Sequence, residues 1–209
     1  ETLAHFFDKA SKDLVVDSLV YNGSFTANAS VVLVNLEGGV KYDYVVGAVS
    51  AAGEGDRSAV FSVSTSPAAP SGLASVSHTT SSVLLKWAAP AAKTGSAVTG
   101  YLVYRDDGAG GTDMSTVAYD GRNFVSTQGG VTGLEGGRTY VFEVSALSAA
   151  GEGDRSAPVR VSTAPAVSAS MWSTAQTTGS VTLAWNAPSS SGDANVTGYT
   201  VYRSDGEGG

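Results

Sequence analysis

The chain has no cysteine, which rules out disulfides, thiolate nucleophiles and cysteine-ligated metals. Histidine is nearly as scarce, with only His5 and His78. Without cysteine or a histidine pair, the usual donor set of a zinc site is missing. Serine is common, but no Gly-x-Ser-x-Gly elbow follows a strand with triad partners behind it. The chain therefore reads as non-enzymatic, with no cofactor implied. Basic residues are few, 12 Lys and Arg against 19 Asp and Glu for a net charge of −7, and they form no run. Phosphate binding needs clustered cations, so a nucleic-acid partner is not expected. No apolar stretch approaches the roughly 20 residues of a bilayer-spanning helix, so membrane insertion within this segment is not expected either. The opening Glu-Thr-Leu-Ala-His-Phe-Phe lacks the basic-then-apolar order of a signal peptide. Only 15% of residues are charged, below the roughly one quarter typical of soluble domains.

What is present points to strands. The 209 residues include 26 Gly and are 42% hydrophobic, with Ala, Val, Ser and Thr dominant and only two Met. That composition favours short strands joined by Gly-rich turns, and its apolar content is too high for a disordered chain.

The strongest signal is an internal repeat. The run Ala51-Ala-Gly-Glu-Gly-Asp-Arg-Ser-Ala59 returns unchanged at 149–157, an offset of 98. Leu36-Glu-Gly-Gly-Val-Lys-Tyr42 returns as Leu134-Glu-Gly-Gly-Arg-Thr-Tyr140 at the same offset. Trp87 maps to Trp185, Gly100-Tyr101 to Gly198-Tyr199, and Tyr104-Arg105 to Tyr202-Arg203. A period this long suits a whole domain, not a solenoid unit. Within one copy, Val83, Leu85 and Trp87 alternate with Leu84 and Lys86, placing the apolar set on one face. Tyr101 and Val103 do the same, as do Tyr140, Phe142, Val144 and Ala146. Met114 to Tyr119 and Val159 to Val161 read as shorter strands. Asp107-Gly-Ala-Gly-Gly111 and Gly129-Gly130 read as turns. Short strands at this spacing predict an all-β, antiparallel sandwich.

Together these residues resemble the fibronectin type III family. The early strand carries a Trp, as Trp87 and Trp185, and the next opens with Gly-Tyr, as Tyr101 and Tyr199. A Leu precedes a Tyr by six positions, Leu36 with Tyr42 and Leu134 with Tyr140, which matches the tyrosine corner of such sandwiches. The Ala-Gly-Glu-Gly-x-x-Ser run stands where the family turns into its last strand, and the prolines of Thr65-Ser-Pro67-Ala-Ala-Pro70 and Thr163-Ala-Pro165 stand at its joints. The resemblance implies tandem immunoglobulin-like sandwiches. It divides the chain into a partial repeat (1–65, later strands), a complete repeat (66–163) and a partial repeat (164–209, early strands). Two departures stand out. The Pro common after the corner Leu is replaced by Glu37 and Glu135, which should loosen that turn. The opening Ala4-His-Phe-Phe-Asp-Lys does not follow the Tyr-x-Val-Tyr-Arg pattern, so the register is set from Tyr21-Asn-Gly23, which aligns with Tyr119-Asp-Gly121.

Half a sandwich leaves a sheet face uncovered. The partial repeats are therefore read as a window on a longer array, with end-to-end complementation between molecules as the alternative.

Asp106, Asp107 and Asp113 share one loop and offer oxygen ligands of the kind calcium takes. They lack the spacing of a calcium loop, and the next copy has only Asp205 and Glu207 there, so a solvated turn is the simpler reading. No Arg-Gly-Asp tripeptide occurs; the chain has Gly-Asp-Arg at 55–57 and 153–155. Three sequons mark Asn22, Asn28 and Asn195 as glycan acceptors on a eukaryotic secretory route, and Asn22-Gly23 is also a hairpin signal. Partners implied are protein, either neighbouring repeats or another copy, and glycans. The leading expectation is a non-enzymatic extracellular or cell-surface array, such as a surface fibre, appendage shaft or adhesin stalk. The alternatives are a non-catalytic spacer in a secreted polysaccharide-degrading enzyme or a receptor ectodomain binding a protein ligand.

Overall fold

The computed structural model describes residues 19–23, 29–168, 170–189 and 195–204. Among them, every regular element is a strand. Four short strands come first: β1 (Lys41–Tyr44), β2 (Gly47–Ser50), β3 (Gly53–Arg57) and β4 (Phe61–Ser64). β1 pairs with β4 and β2 with β3, both antiparallel. The central sandwich follows as β5 (Ser71–His78), β6 (Ser82–Ala88), β7 (Val98–Arg105), β8 (Thr116–Gly121), β9 (Gln128–Thr132), β10 (Thr139–Ser148), β11 (Gly151–Arg155) and β12 (Val159–Ser162). A last hairpin is made of β13 (Met171–Gln176) and β14 (Val181–Trp185).

In the sandwich, one sheet has the order β5-β6-β9 and the other β11-β10-β7-β8. β10 is long enough for its first half to pair with β12 and its second half with β11. Alternation decides which side chains meet between the sheets. Val83, Leu85 and Trp87 of β6 face Tyr140, Phe142, Val144 and Ala146 of β10 in one buried cluster, with Tyr101, Val103, Val131 and Leu134. Each large side chain buried there contributes about 1.5–3 kcal/mol. This is the antiparallel β-sandwich that the alternation predicts.

Three local expectations are corrected. Gly129 and Gly130 are not a turn but lie within β9, opposite Leu85 and Leu84 of β6. The reason is space: a β-carbon built at Gly129 would stand 2.9 Å from Tyr119 and 3.1 Å from Trp87, so only glycine lets this strand pass under those rings. In β7, Leu102 and Tyr104 are buried along with Tyr101 and Val103. β7 runs between β8 and β10, and the Arg155 guanidinium covers Tyr104 from the outer face, 3.5 Å from the ring centre. Finally, β8 starts at Thr116, not Met114. Just before it, the Ser115 N–H donates to Asp113 Oδ1 at 2.9 Å, a local turn that competes with strand pairing.

The offset of 98 is visible in backbone pairing. Tyr42 opposes Val63 as Tyr140 opposes Val161, and Gly47 opposes Arg57 as Ser145 opposes Arg155. Met171 opposes Trp185, and Ser173 opposes Leu183 as Ser75 opposes Leu85. These outer strands differ from the sandwich in exposure: Phe61, Val63, Met171 and Leu183 are all exposed.

Candidate functional site

The residues singled out in the sequence fall into a packing signature and a set of surface groups. Trp87 and Tyr101 meet edge to face with ring centres 5.4 Å apart, an arrangement worth about 0.5–1.5 kcal/mol beyond burial. Tyr119 is the third ring of the group, 6.3 Å from Trp87. Trp185 and Tyr199 repeat the contact at 5.4 Å, but Tyr199 is exposed where Tyr101 is buried. Leu134 is buried at the tyrosine corner, and Tyr140 Oη accepts the Glu135 N–H at 2.9 Å. The equivalent bond from Glu37 N–H to Tyr42 Oη is 3.0 Å, beside an exposed Leu36. Glu37 and Glu135, which stand in place of proline, take part directly in these corners. Each supplies the amide hydrogen that the corner uses, and a proline there would have none. Thr65 and Thr163 close the same turns, each hydroxyl donating to the carbonyl of Glu37 or Glu135 at 2.7 Å.

A polar network on the outer face of the larger sheet leaves no local pattern in the sequence. Glu152 Oε1 accepts from Tyr104 Oη at 2.7 Å and from Ser145 Oγ at 2.6 Å. Arg155 caps the Tyr104 ring, donates to the Met114 carbonyl at 2.9 Å and lies 3.4 Å from Glu143. Burial pushes the Tyr104 hydroxyl above its ordinary pKa of 10.0, and the Glu152 carboxylate pushes the same way. Burial alone raises Tyr101. In the Gly151–Arg155 copy, Gly-Glu-Gly-Asp-Arg is therefore a strand whose Glu and Arg clasp β7 and β10. Its partners lie 48 residues away for Tyr104, which local pattern reading does not reach.

The loop aspartates do not converge. Asp106 is buried, and its Oδ1 accepts from Val141 N–H at 2.9 Å and Gly108 N–H at 3.2 Å. Its Oδ2 is buried with no hydrogen-bond partner among the described residues. Asp107 Oδ1 accepts from Ala109 N–H at 2.8 Å, so Asp107 and Asp113 each cap their own turn. Among the described residues, no three His, Asp or Glu groups gather as metal ligands, and no helix is long and apolar enough to cross a membrane. His78 ends β5 and is exposed. Asn22 and Asn195 are exposed, while Asn28, His5, Asp205, Glu207 and the segment 4–9 lie outside the described residues. A shallow hollow of mixed polar and apolar lining is formed by Thr99, Arg122, Asn123, Leu147 and Glu152, and of the polar network around Tyr104 it holds only Glu152.

With this geometry in hand, the chain can be set beside known proteins. Residues 68–162 match the family model described as "Fibronectin type III domain". The chain is 36% identical over 148 residues to Chitinase A1 of Niallia circulans, covering 66% of this chain and 19% of that protein. It is 34% identical over 149 residues to Exoglucanase B of Cellulomonas fimi, covering 66% of this chain and 12% of that protein. The chain thus spans less than a fifth of either relative. A solved fibronectin type-III domain of human fibronectin type III domain containing protein 3 aligns with 50% of this chain and 92% of its own, at 21% identity and a TM-score of 0.43.

Proposed function

Residues 68–162 being a fibronectin type III domain, we propose that the chain is a non-catalytic spacer within a secreted, polysaccharide-degrading enzyme. The observation that carries this reading is the pair of similarities to a chitinase and an exoglucanase, at 36% and 34% identity. Both alignments run over about 150 residues, longer than the 68–162 domain. The shared region therefore extends into the flanking strands, as expected for consecutive repeats of one array. On this reading β1–β4 and β13–β14 belong to neighbouring repeats whose remaining strands cover their exposed faces. Among the described residues, Asp106, Asp107, Asp113 and Glu152 accept hydrogen bonds from backbone amides or neighbouring side chains, and fold alone does not confer activity. These similarities favour the spacer over a surface fibre or a receptor ectodomain. An outward location follows from the same reading.

The test is to delete this segment from the full-length protein and assay hydrolysis of chitin and cellulose. A spacer predicts that hydrolysis of soluble oligosaccharides is retained while attack on the insoluble polymer falls. The isolated chain should release no sugar from either polymer. Release of sugar by the isolated chain, or a parent protein with no hydrolase domain, would overturn the reading.

A further inference from the structure

The loop between β6 and β7 grips residues 37–41, which lead into β1 and include its first residue. Gly95 N–H donates to the Gly39 carbonyl at 2.9 Å, backbone to backbone. Next to it, the Lys41 N–H donates to Thr94 Oγ1 at 3.2 Å. Lys93 Nζ stands 2.5 Å from Glu37 Oε1. A second set of contacts holds the outgoing linker. Ser66 Oγ donates to the Ala150 carbonyl in the β10–β11 turn at 3.2 Å, and Pro67 is buried.

Both places depend on missing β-carbons. One built at Gly95 would stand 2.5 Å from the Gly39 carbonyl oxygen, and one at Gly153 would overlap the Pro67 carbonyl. A surface ion pair alone contributes only about 0–1 kcal/mol. Here it accompanies direct backbone bonding at a distance no larger residue permits, and that combination fixes orientation.

The repeat supplies its own comparison. At the positions 98 residues after Lys93, Thr94 and Gly95 the chain has Ser191, Gly192 and Asp193. That sequence carries no amine for a carboxylate, no hydroxyl at the Thr94 position and a side chain where the glycine stood. The carboxylate side has changed in step: Glu135 pairs with Arg138 inside its own turn, where the earlier copy has Val40.

We propose that Lys93, Thr94 and Gly95 form a docking surface for the preceding repeat's 37–41 segment, locking the joint between the two in one orientation. Joint stiffness is then written in three loop residues and not in linker length. The contacts are independent of the enzymatic context proposed above, so a failed spacer test leaves this joint untouched.

Because the chain has no cysteine, spin labels can be placed cleanly on the full chain at Ser62→Cys in β4 and Ser77→Cys in β5, both exposed. Electron–electron double resonance should give one narrow distance distribution. The triple variant Lys93→Ser, Thr94→Gly, Gly95→Asp, which copies the later loop, should broaden it at least twofold. Gly95→Val alone should broaden it too, because it blocks the backbone contact while keeping the amine. Thermal unfolding of the central sandwich should be unchanged in both variants. A broad distribution in the parent chain, or variants as narrow as the parent, would overturn the proposal.

Discussion

Gly129 passes beneath the Trp87 indole, with room for a hydrogen and no more: a β-carbon there would lie 3.1 Å from Trp87 Cη2 and 2.9 Å from Tyr119 Cδ1. Overfilling a packed interior costs about 1–3 kcal/mol. Gly129→Val should therefore lower the unfolding free energy of the central sandwich by about 2 kcal/mol, read by urea denaturation. Gly130→Val is the control. A β-carbon there meets nothing within 4 Å, and valine suits an exposed strand position, so its change should stay within about 0.5 kcal/mol.

That glycine also shows where sequence reading stops. Adjacent glycines normally mark a turn, and nothing local reveals that a Trp 42 positions earlier needs the space. The strands β6 and β10 were legible because alternation between core and solvent is a local property. For β7 the same rule marks Leu102 and Tyr104 as outward, and they are, but Arg155 and Glu152 return to cover Tyr104. Its burial is a tertiary effect. The offset of 98 was legible because its shared motifs mark equivalent positions, and those positions pair in the same register. The joint at Lys93 to Gly95 was not, because a loop's partner on the preceding segment leaves no periodic trace.

The tyrosine corner offers a matched pair. Tyr140→Phe removes the acceptor of the Glu135 N–H, which lies in a partly buried setting. An unpaired amide there costs about 1–2 kcal/mol. The equivalent Tyr42→Phe frees an N–H in an exposed setting, where water replaces the phenol. Urea unfolding of the central sandwich should register the first change and move by less than about 0.5 kcal/mol for the second.

Asp106 holds two backbone N–H groups on a single oxygen, from Val141 and Gly108. Asp106→Ala leaves both without an acceptor and should cost about 2 kcal/mol. Asp106→Asn keeps a carbonyl oxygen for the same two donors and removes the need to bury a charge. It should therefore be clearly milder than alanine in the same urea titration. Equal losses for the two variants would show that Oδ1 is not what the aspartate contributes.

Tyr101 and Tyr104 make the sandwich sensitive to alkali, and the sign follows from where their protons are held. Both hydroxyls are raised above the ordinary value of 10.0, chiefly because burial disfavours the phenolate. In the unfolded chain they ionise near 10, so above that pH the unfolded state is stabilised and the folded state is not. The stability they contribute is fully present below pH 10 and is lost as pH rises toward their folded values. For Tyr104 the Glu152 carboxylate adds to the effect by accepting the phenol's proton at 2.7 Å, a bond that phenolate formation destroys. Unfolding free energy measured from pH 8 to 11 should hold level and then fall beyond about 10. Tyr104→Phe should be less stable than the parent at pH 8, yet lose less on going to pH 11. A parallel decline in the two proteins would mean that Tyr104 is not among the groups whose ionisation unfolds the sandwich.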